Sequence, residues 1–149
     1  MNPRFSEKDE PELIGLLRNV PIFYNLNDDS LRSLLEIANE ASFLPGKTIM
    51  KEGSRDDTLH IILAGRVEVQ KNGKPIANLG IGQFFGEMAF LDDLPSERSA
   101  DVVSVEQTRC IAIPGWSWYS FLRKNPDVAI EVIRTLGHRL REANEALAD

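Results

Sequence analysis

The chain has 149 residues, 42% of them hydrophobic, and 17 Lys and Arg against 23 Asp and Glu give a formal net charge of −6. That composition fits one globular domain with a sizeable core. It excludes a disordered chain and a dedicated nucleic-acid binder, which needs a basic face. A single cysteine, Cys110, excludes an intramolecular disulfide and a cysteine-built metal cluster. The polar start Met1 to Pro11 does not read as a signal peptide, and no apolar run approaches the roughly 18–20 residues that cross a bilayer. A cytoplasmic setting without membrane attachment is expected.

Residues 1–10 read as a flexible N-terminus and 11–149 as a single domain. Pro11 to Asn19 suits a short helix with Pro11 in its first turn, which Val20-Pro21-Ile22-Phe23 breaks. Asn27-Asp28-Asp29-Ser30 offers capping side chains, and Leu31, Leu34, Leu35, Ala38 and Ala41 follow at helical spacing. This predicts a second amphipathic helix over 29–41. From Phe43 the rhythm changes to short Ile-, Val- and Leu-rich runs punctuated by glycine, the pattern of an antiparallel β-unit over 42–113. Leu59 to Leu63 is a compact apolar strand, and Arg66 to Gln70 alternates with one valine face inward. Asn72-Gly73 is a strong hairpin signal, and Ile76 to Leu79 returns. Ala100 to Val105 and Thr108 to Ile113 read as two more strands. Pro114 ends the sheet. Gly115 to Lys124 forms a short helix, then Asn125 and Pro126 open a longer one over 126–147.

The segment 84–100 carries the chemistry. Gly86-Glu87-Met88-Ala89 reads as a helix start, where unpaired backbone N–H groups favour an anion. Arg98, just beyond an acidic turn, offers a planar charged fork to phosphate oxygens. A carboxylate beside a phosphate is repelled by it, so the natural partner of Glu87 is a hydroxyl pair such as a ribose edge. Amides, one Arg and one Glu together describe a site for a phosphorylated ribose. The acidic net charge means that such an anion site must be local.

With these residues the chain resembles the cyclic nucleotide-binding domain family over roughly residues 13–145. Val20-Pro21-Ile22-Phe23, Gly46, Gly53 and Gly65-Arg66-Val67 look like its structural positions. Phe85-Gly86-Glu87-Met88-Ala89 with Arg98-Ser99-Ala100 looks like its phosphate-binding cassette, the specific part of the match. The resemblance implies a mainly β fold: an antiparallel β-roll or jelly-roll barrel between an N-terminal helix pair (11–41) and a C-terminal pair (114–147). It implies that Glu87 accepts from the ribose 2′-hydroxyl and that Arg98 pairs with a phosphate oxygen. Ser99 adds a hydroxyl donor, and Gly86, Glu87, Met88, Ala89 and Ala100 add backbone. Leu63, Leu79 and Phe84 are wall candidates. Ser99 resembles bacterial cAMP receptors, so the expected ligand is cAMP, with cGMP second. In those receptors polar residues on the terminal helix contact the adenine. Here Ala143 stands where a hydroxyl residue is expected, and Asn144 is the candidate for the base edge.

The expectations that follow are a non-catalytic sensor module with no cofactor beyond its nucleotide ligand, no metal, and output through the terminal helices to an unidentified downstream protein. The family's bacterial regulators continue into a DNA-binding helix-turn-helix. Nothing follows Asp149, so direct DNA binding through that device is not expected, and a fragment of such a regulator is one alternative. Another is a nucleotide-free interaction or redox-sensing module on the same fold. A cupin-like metal enzyme lacks inward histidines: His60 and His138 are read as packed or exposed, Asp92, Asp93 and Glu97 as a solvated loop, and Cys110 as a core residue. Trp116, Trp118, Tyr119 and Phe121 are read as packing anchors. The apolar stripe of the last helix, from Val132 to Leu147 with Gly137 permitting close approach, suits a homodimer through that helix.

Overall fold

In the computed structural model, which describes residues 9–87 and 100–148, the chain opens with helix α1 (Asp9–Arg18), a single 3₁₀ turn (Pro21–Phe23) and helix α2 (Asp28–Glu36). Among the described residues eight strands follow: β1 (Asn39–Phe43), β2 (Thr48–Met50), β3 (Leu59–Ala64), β4 (Val67–Lys71), β5 (Lys74–Leu79), β6 (Phe84–Phe85), β7 (Asp101–Ser104) and β8 (Thr108–Ile113). Helices α3 (Gly115–Lys124) and α4 (Pro126–Ala148) complete the described fold.

Local signals account for most of these boundaries. The Asn27 side chain caps α2 by accepting from the Ser30 N–H at 2.9 Å. Asn72 and Gly73 both take positive φ, 53° and 76°, the turn that matches the twist of the β4–β5 hairpin. The Asn125 side-chain amide turns back to the Phe121 carbonyl at 3.0 Å, closing α3 before Pro126 starts α4.

One boundary departs from the sequence reading. The helix expected over 29–41 ends at Glu36, and Asn39 to Phe43 pairs antiparallel with β8, from Asn39 opposite Ala112 to Phe43 opposite Thr108. Ala41 fits a helical spacing and a strand equally well; pairing with a strand about seventy residues away decides between them. Glu40 gains an ion pair with Arg109 across that ladder, and Arg109 also donates to Glu12 of α1 at 3.0 Å.

The strands form two antiparallel four-stranded sheets, ordered β1-β8-β3-β6 and β2-β7-β4-β5. They face one another but do not close, so the expected barrel is an open jelly roll. Two cores result. Between the sheets lie Ile62, Val67, Phe85, Val102 and Cys110. On the outer face of the first sheet, Leu59, Ile61, Leu63 and Ile111 pack under the helices with Leu34, Phe23 and Trp118. Strand β3 is buried on both faces, which is why its sequence is an unbroken apolar run rather than an alternation. Gly65 closes the β3–β4 turn at φ +93°, and a Cβ there would lie 2.4 Å from the Gln107 carbonyl oxygen. Both the left-handed backbone and the contact require glycine.

The aromatic anchors divide by helical phase. Trp118 and Phe121, three residues apart, are buried in α3, whereas Trp116 and Tyr119 are 75% and 52% exposed. Those two therefore do not anchor the helix; the Tyr119 ring instead carries the Arg123 guanidinium at 5.9 Å.

Candidate functional site

The site lies where β6 runs into the cassette. Phe84 and Phe85 pair with Ile61 and His60 of β3, which fixes the chain just before Gly86. Gly86 has φ +92°, a conformation that an L side chain resists. It turns the backbone so that Glu87, which is helical, stands over a cavity. Met88, Ala89, Arg98 and Ser99 lie outside the described residues, as do Asp92, Asp93 and Glu97.

Glu87 is only 9% exposed, and a carboxylate removed from water needs a charged or hydrogen-bonded partner. Arg139 of α4 supplies one: its Nη1 donates to Glu87 Oε1 at 3.1 Å. Nη2 of the same residue donates to the Phe84 carbonyl at 2.6 Å, and the guanidinium lies 4.6 Å from the Phe84 ring centroid, within cation–π range. One arginine thus ties the last helix to both β6 and the cassette.

The cavity is about 190 Å³. Phe85, Gly86, Glu87 and Ala100 form its cassette side, and Arg139 reaches it from α4. The second sheet provides Met50, Val69, Ala77, Leu79 and Val102. Its chemistry is therefore divided, with a carboxylate and a guanidinium at one end and an aliphatic wall along the other. A small ligand with a polar head and a flat apolar body suits such a cavity.

The chain was compared with known proteins. The family model for the cyclic nucleotide-binding domain matches residues 40–125. The chain belongs to the cyclic nucleotide-binding domain family. Within this family it is similar to the cyclic AMP receptor protein of Thermus thermophilus, at 30% identity over 133 residues, covering 86% of this chain and 61% of that protein. The crystal structure of the Thermus thermophilus catabolite activator protein superposes with a TM-score of 0.74 at 32% identity, over 85% of this chain and 61% of that one. A structure described as Sp-2Cl-cAMPS bound to PKAR CBD2 shares the fold, with a TM-score of 0.75 at 22% identity over 92% of each chain. The chain spans about 61% of the length of the curated receptor it matches. The family's domains are regulatory, ligand-binding units. Among the described residues no helix is long and apolar enough to cross a membrane.

Of the residues singled out from sequence, the fold brings Phe85, Gly86, Glu87 and Ala100 together around one cavity. Asn144 is not among them: it is exposed on α4 and does not line the cavity. Helical phase alone is not the reason, since Ala143, four residues from Arg139 and on its face of the helix, is exposed as well. Every described residue of α4 beyond Arg139 is exposed, so the helix has run past the cavity before it reaches Asn144. Of the wall candidates, Leu79 lines the cavity, while Leu63 and Phe84 belong to the core under the helices. Period two along β3 sends Leu63 to the same side as Leu59 and Ile61.

Sequence reasoning missed Arg139. A signal for it exists: Val128, Val132 and Leu136 form the inward stripe of α4, and Arg139 continues that stripe where another apolar residue belongs. A charge on a helix's buried face marks a partner across the interface.

The two histidines differ. His60 is buried and stacked on Phe85, ring centroids 4.9 Å apart at 8°, and His138 is exposed on α4. Cys110 is fully buried between the sheets, and burial pushes its thiol up to about 12. A redox-sensing thiol is instead accessible and of low pKa. Below pH 8 the Cys110 thiol is neutral in both the folded and the unfolded chain. As pH rises from about 9 toward about 12, only the unfolded chain ionises it, so stability falls, by up to about 1.4 kcal/mol per pH unit. Urea melts at pH 8 and pH 10 should therefore show a steeper alkaline loss for the parent than for Cys110→Ala. Identical slopes would mean that the thiol is not held neutral by the fold.

Proposed function

We propose that this chain is a cyclic nucleotide sensor module whose ligand is cAMP, with cGMP the weaker alternative. The observation that carries this reading is the buried Glu87 at the polar end of an otherwise aliphatic cavity, paired with Arg139 of the last helix. In this reading Glu87 accepts from the ribose 2′-hydroxyl. Arg98 and Ser99, with backbone donors from Gly86 to Ala89 and at Ala100, neutralise the single charge of the cyclic phosphate. Because Arg139 bonds both Glu87 and Phe84, a ribose that engages Glu87 competes for the contact that holds α4. That competition gives ligand binding a differential effect on two helix positions, the requirement for any ligand-driven switch. The output is movement of the terminal helices, passed to a downstream protein.

Calorimetry with cAMP and its 2′-deoxy analogue tests the ribose role. The parent should prefer cAMP, and Glu87→Ala should weaken cAMP by about 1.5–3 kcal/mol, as for a hydrogen bond to a charged group, while removing the preference. Equal weakening of both ligands would reject the assignment.

The second partner in this proposal is another copy of the chain. Ile133, Leu140 and Leu147 of α4 are 67%, 63% and 84% exposed, and their seven-residue spacing is the repeat by which helices pair. Light scattering should report a dimer for the parent and a monomer for an Ile133→Glu/Leu140→Glu variant. A monomeric parent at micromolar concentration sinks this part.

One observation favours a second reading, a nucleotide-free interaction module: Glu87 already has a cationic partner within the chain. Thermal melting separates the two. A nucleotide at a hundredfold excess over its dissociation constant stabilises by about 2.7 kcal/mol, and unchanged melting with cAMP and with cGMP supports the second reading.

A further inference from the structure

Arg139 is one tie between the cavity and the terminal helices. A second runs through the segment between β2 and β3, residues 51–58. Just before it, Met50 lines the cavity. The Glu52 N–H then donates to Asp101 Oδ1 at 2.6 Å, and Asp101 lies between Ala100 and Val102, both of which line the cavity. Glu52 Oε1 also accepts from Lys71 Nζ at 2.7 Å. Gly53 turns the chain at φ +84°, with the Ser54 N–H donating to the Lys51 carbonyl at 3.1 Å. At the far end Asp56 Oδ1 accepts from the Thr58 N–H and hydroxyl, at 3.0 and 2.7 Å. The segment is thus fixed by hydrogen bonds at both ends.

Its last turn meets α3. Leu59 pairs with Ile113 in the β3–β8 ladder, and that register, carried two residues beyond the ladder, sets Asp57 opposite Gly115, the first residue of α3. A Cβ on Gly115 would lie 2.7 Å from the Asp57 carbonyl oxygen and 3.2 Å from its Oδ2. Gly115 is buried, and its backbone is not left-handed. Contact with Asp57, not conformation, is what demands glycine there. The Asp57 carboxylate also brings a negative charge to the start of a helix whose own first turn has none, which the helix dipole favours.

We propose that Asp57 and Gly115 are positioning residues through which the 51–58 segment carries a change at Ala100–Val102 into the first turn of α3. The inference rests on the nucleotide reading above, in which the ligand meets the backbone at Ala100. A shift there moves Asp101, then Glu52, then the carbonyl that bears on Gly115. A carbonyl pressed against a bare Cα passes displacement on, because a close-packed contact without a rotatable side chain has little to absorb it. Coupling of this kind requires an element with two positions that both ends bias. That element is the terminal helix pair, which Arg139 biases from one side and Asp57 from the other.

Hydrogen exchange with and without saturating cAMP tests this, with calorimetry reporting binding in each chain. In the parent, cAMP should speed exchange across residues 115–124 by about 2- to 30-fold. Gly115→Ala, which drives Asp57 off the helix start, should still bind cAMP but lose about half or more of that response. Asp101→Ala cuts the other end and should lose as much, and Asp101→Asn, which keeps an acceptor for the Glu52 N–H, should restore it. Should Gly115→Ala fail to fold, the Asp101 pair decides alone. A full response in either alanine variant, or no response at 115–124 in a parent that binds cAMP, overturns the inference and leaves the nucleotide reading standing. A parent that binds neither cAMP nor cGMP overturns both.

Discussion

On the proposed reading, an Arg98→Ala variant should bind cAMP about 2–4 kcal/mol more weakly than the parent, roughly 30- to 1000-fold. The size follows from how few cations serve the cavity. Among its described lining residues the only cation is Arg139, and both of its terminal nitrogens already donate, one to Glu87 and one to the Phe84 carbonyl. The chain as a whole is acidic, with a net charge of −6, so its overall field does not attract a phosphate. In the proposal, compensation of the ligand's charge then falls to Arg98 and backbone amides. Removing the guanidinium would leave the bound monoanion without its charged partner, a larger penalty than the loss of a surface contact. Arg98→Lys restores charge without the planar fork and should recover only part of the affinity. Unchanged cAMP affinity in Arg98→Ala would remove the cassette assignment and leave Arg139 as the residue to test next.

Replacing Trp118 by Ala should cost about 3–5 kcal/mol of stability, a large share of the roughly 5–15 kcal/mol typical of a folded domain. Trp118 is 1% exposed. It meets Phe23 edge-on with centroids 6.3 Å apart and stacks on Phe121 at 5.7 Å and 17°. It therefore joins α3 to the 3₁₀ turn, against which α4 also packs. Among the described residues its buried indole N–H has no hydrogen-bond partner, so Trp118→Phe surrenders volume but also removes a donor that those residues leave unsatisfied. That variant should lose less than about 1.5 kcal/mol. Denaturant melts compare the two substitutions. A Trp118→Ala chain as stable as the parent would mean that the helical core is not held by this aromatic cluster.

The elements legible in the sequence were those written in neighbouring residues. Thr108 to Ile113 and Gly115 to Lys124 appear as a strand and a helix with the expected ends, because Pro114 cannot extend the sheet ladder and helical spacing starts directly after it. The Asn72-Gly73 hairpin is equally local, since positive φ at two adjacent positions demands those residue types. Strand β1 was misread because its identity depends on β8, far along the chain, and a short segment with Ala at a helical spacing holds no trace of that partner.

The same division runs through the site. By itself the sequence determined the residue types that could meet a sugar and an anion, and it grouped Phe85, Gly86, Glu87 and Ala100, which the fold brings around one cavity; three of the four are adjacent in the chain and Gly86 directs their backbone. Only the tertiary structure decided which residues from elsewhere complete it. Arg139 reaches Glu87 across 52 residues, whereas Asn144 is exposed on the part of α4 beyond the cavity. How far along its length α4 stays packed, through Val128, Val132 and Leu136, decides which of its residues reach the site, and that packing is set by residues far away in the chain.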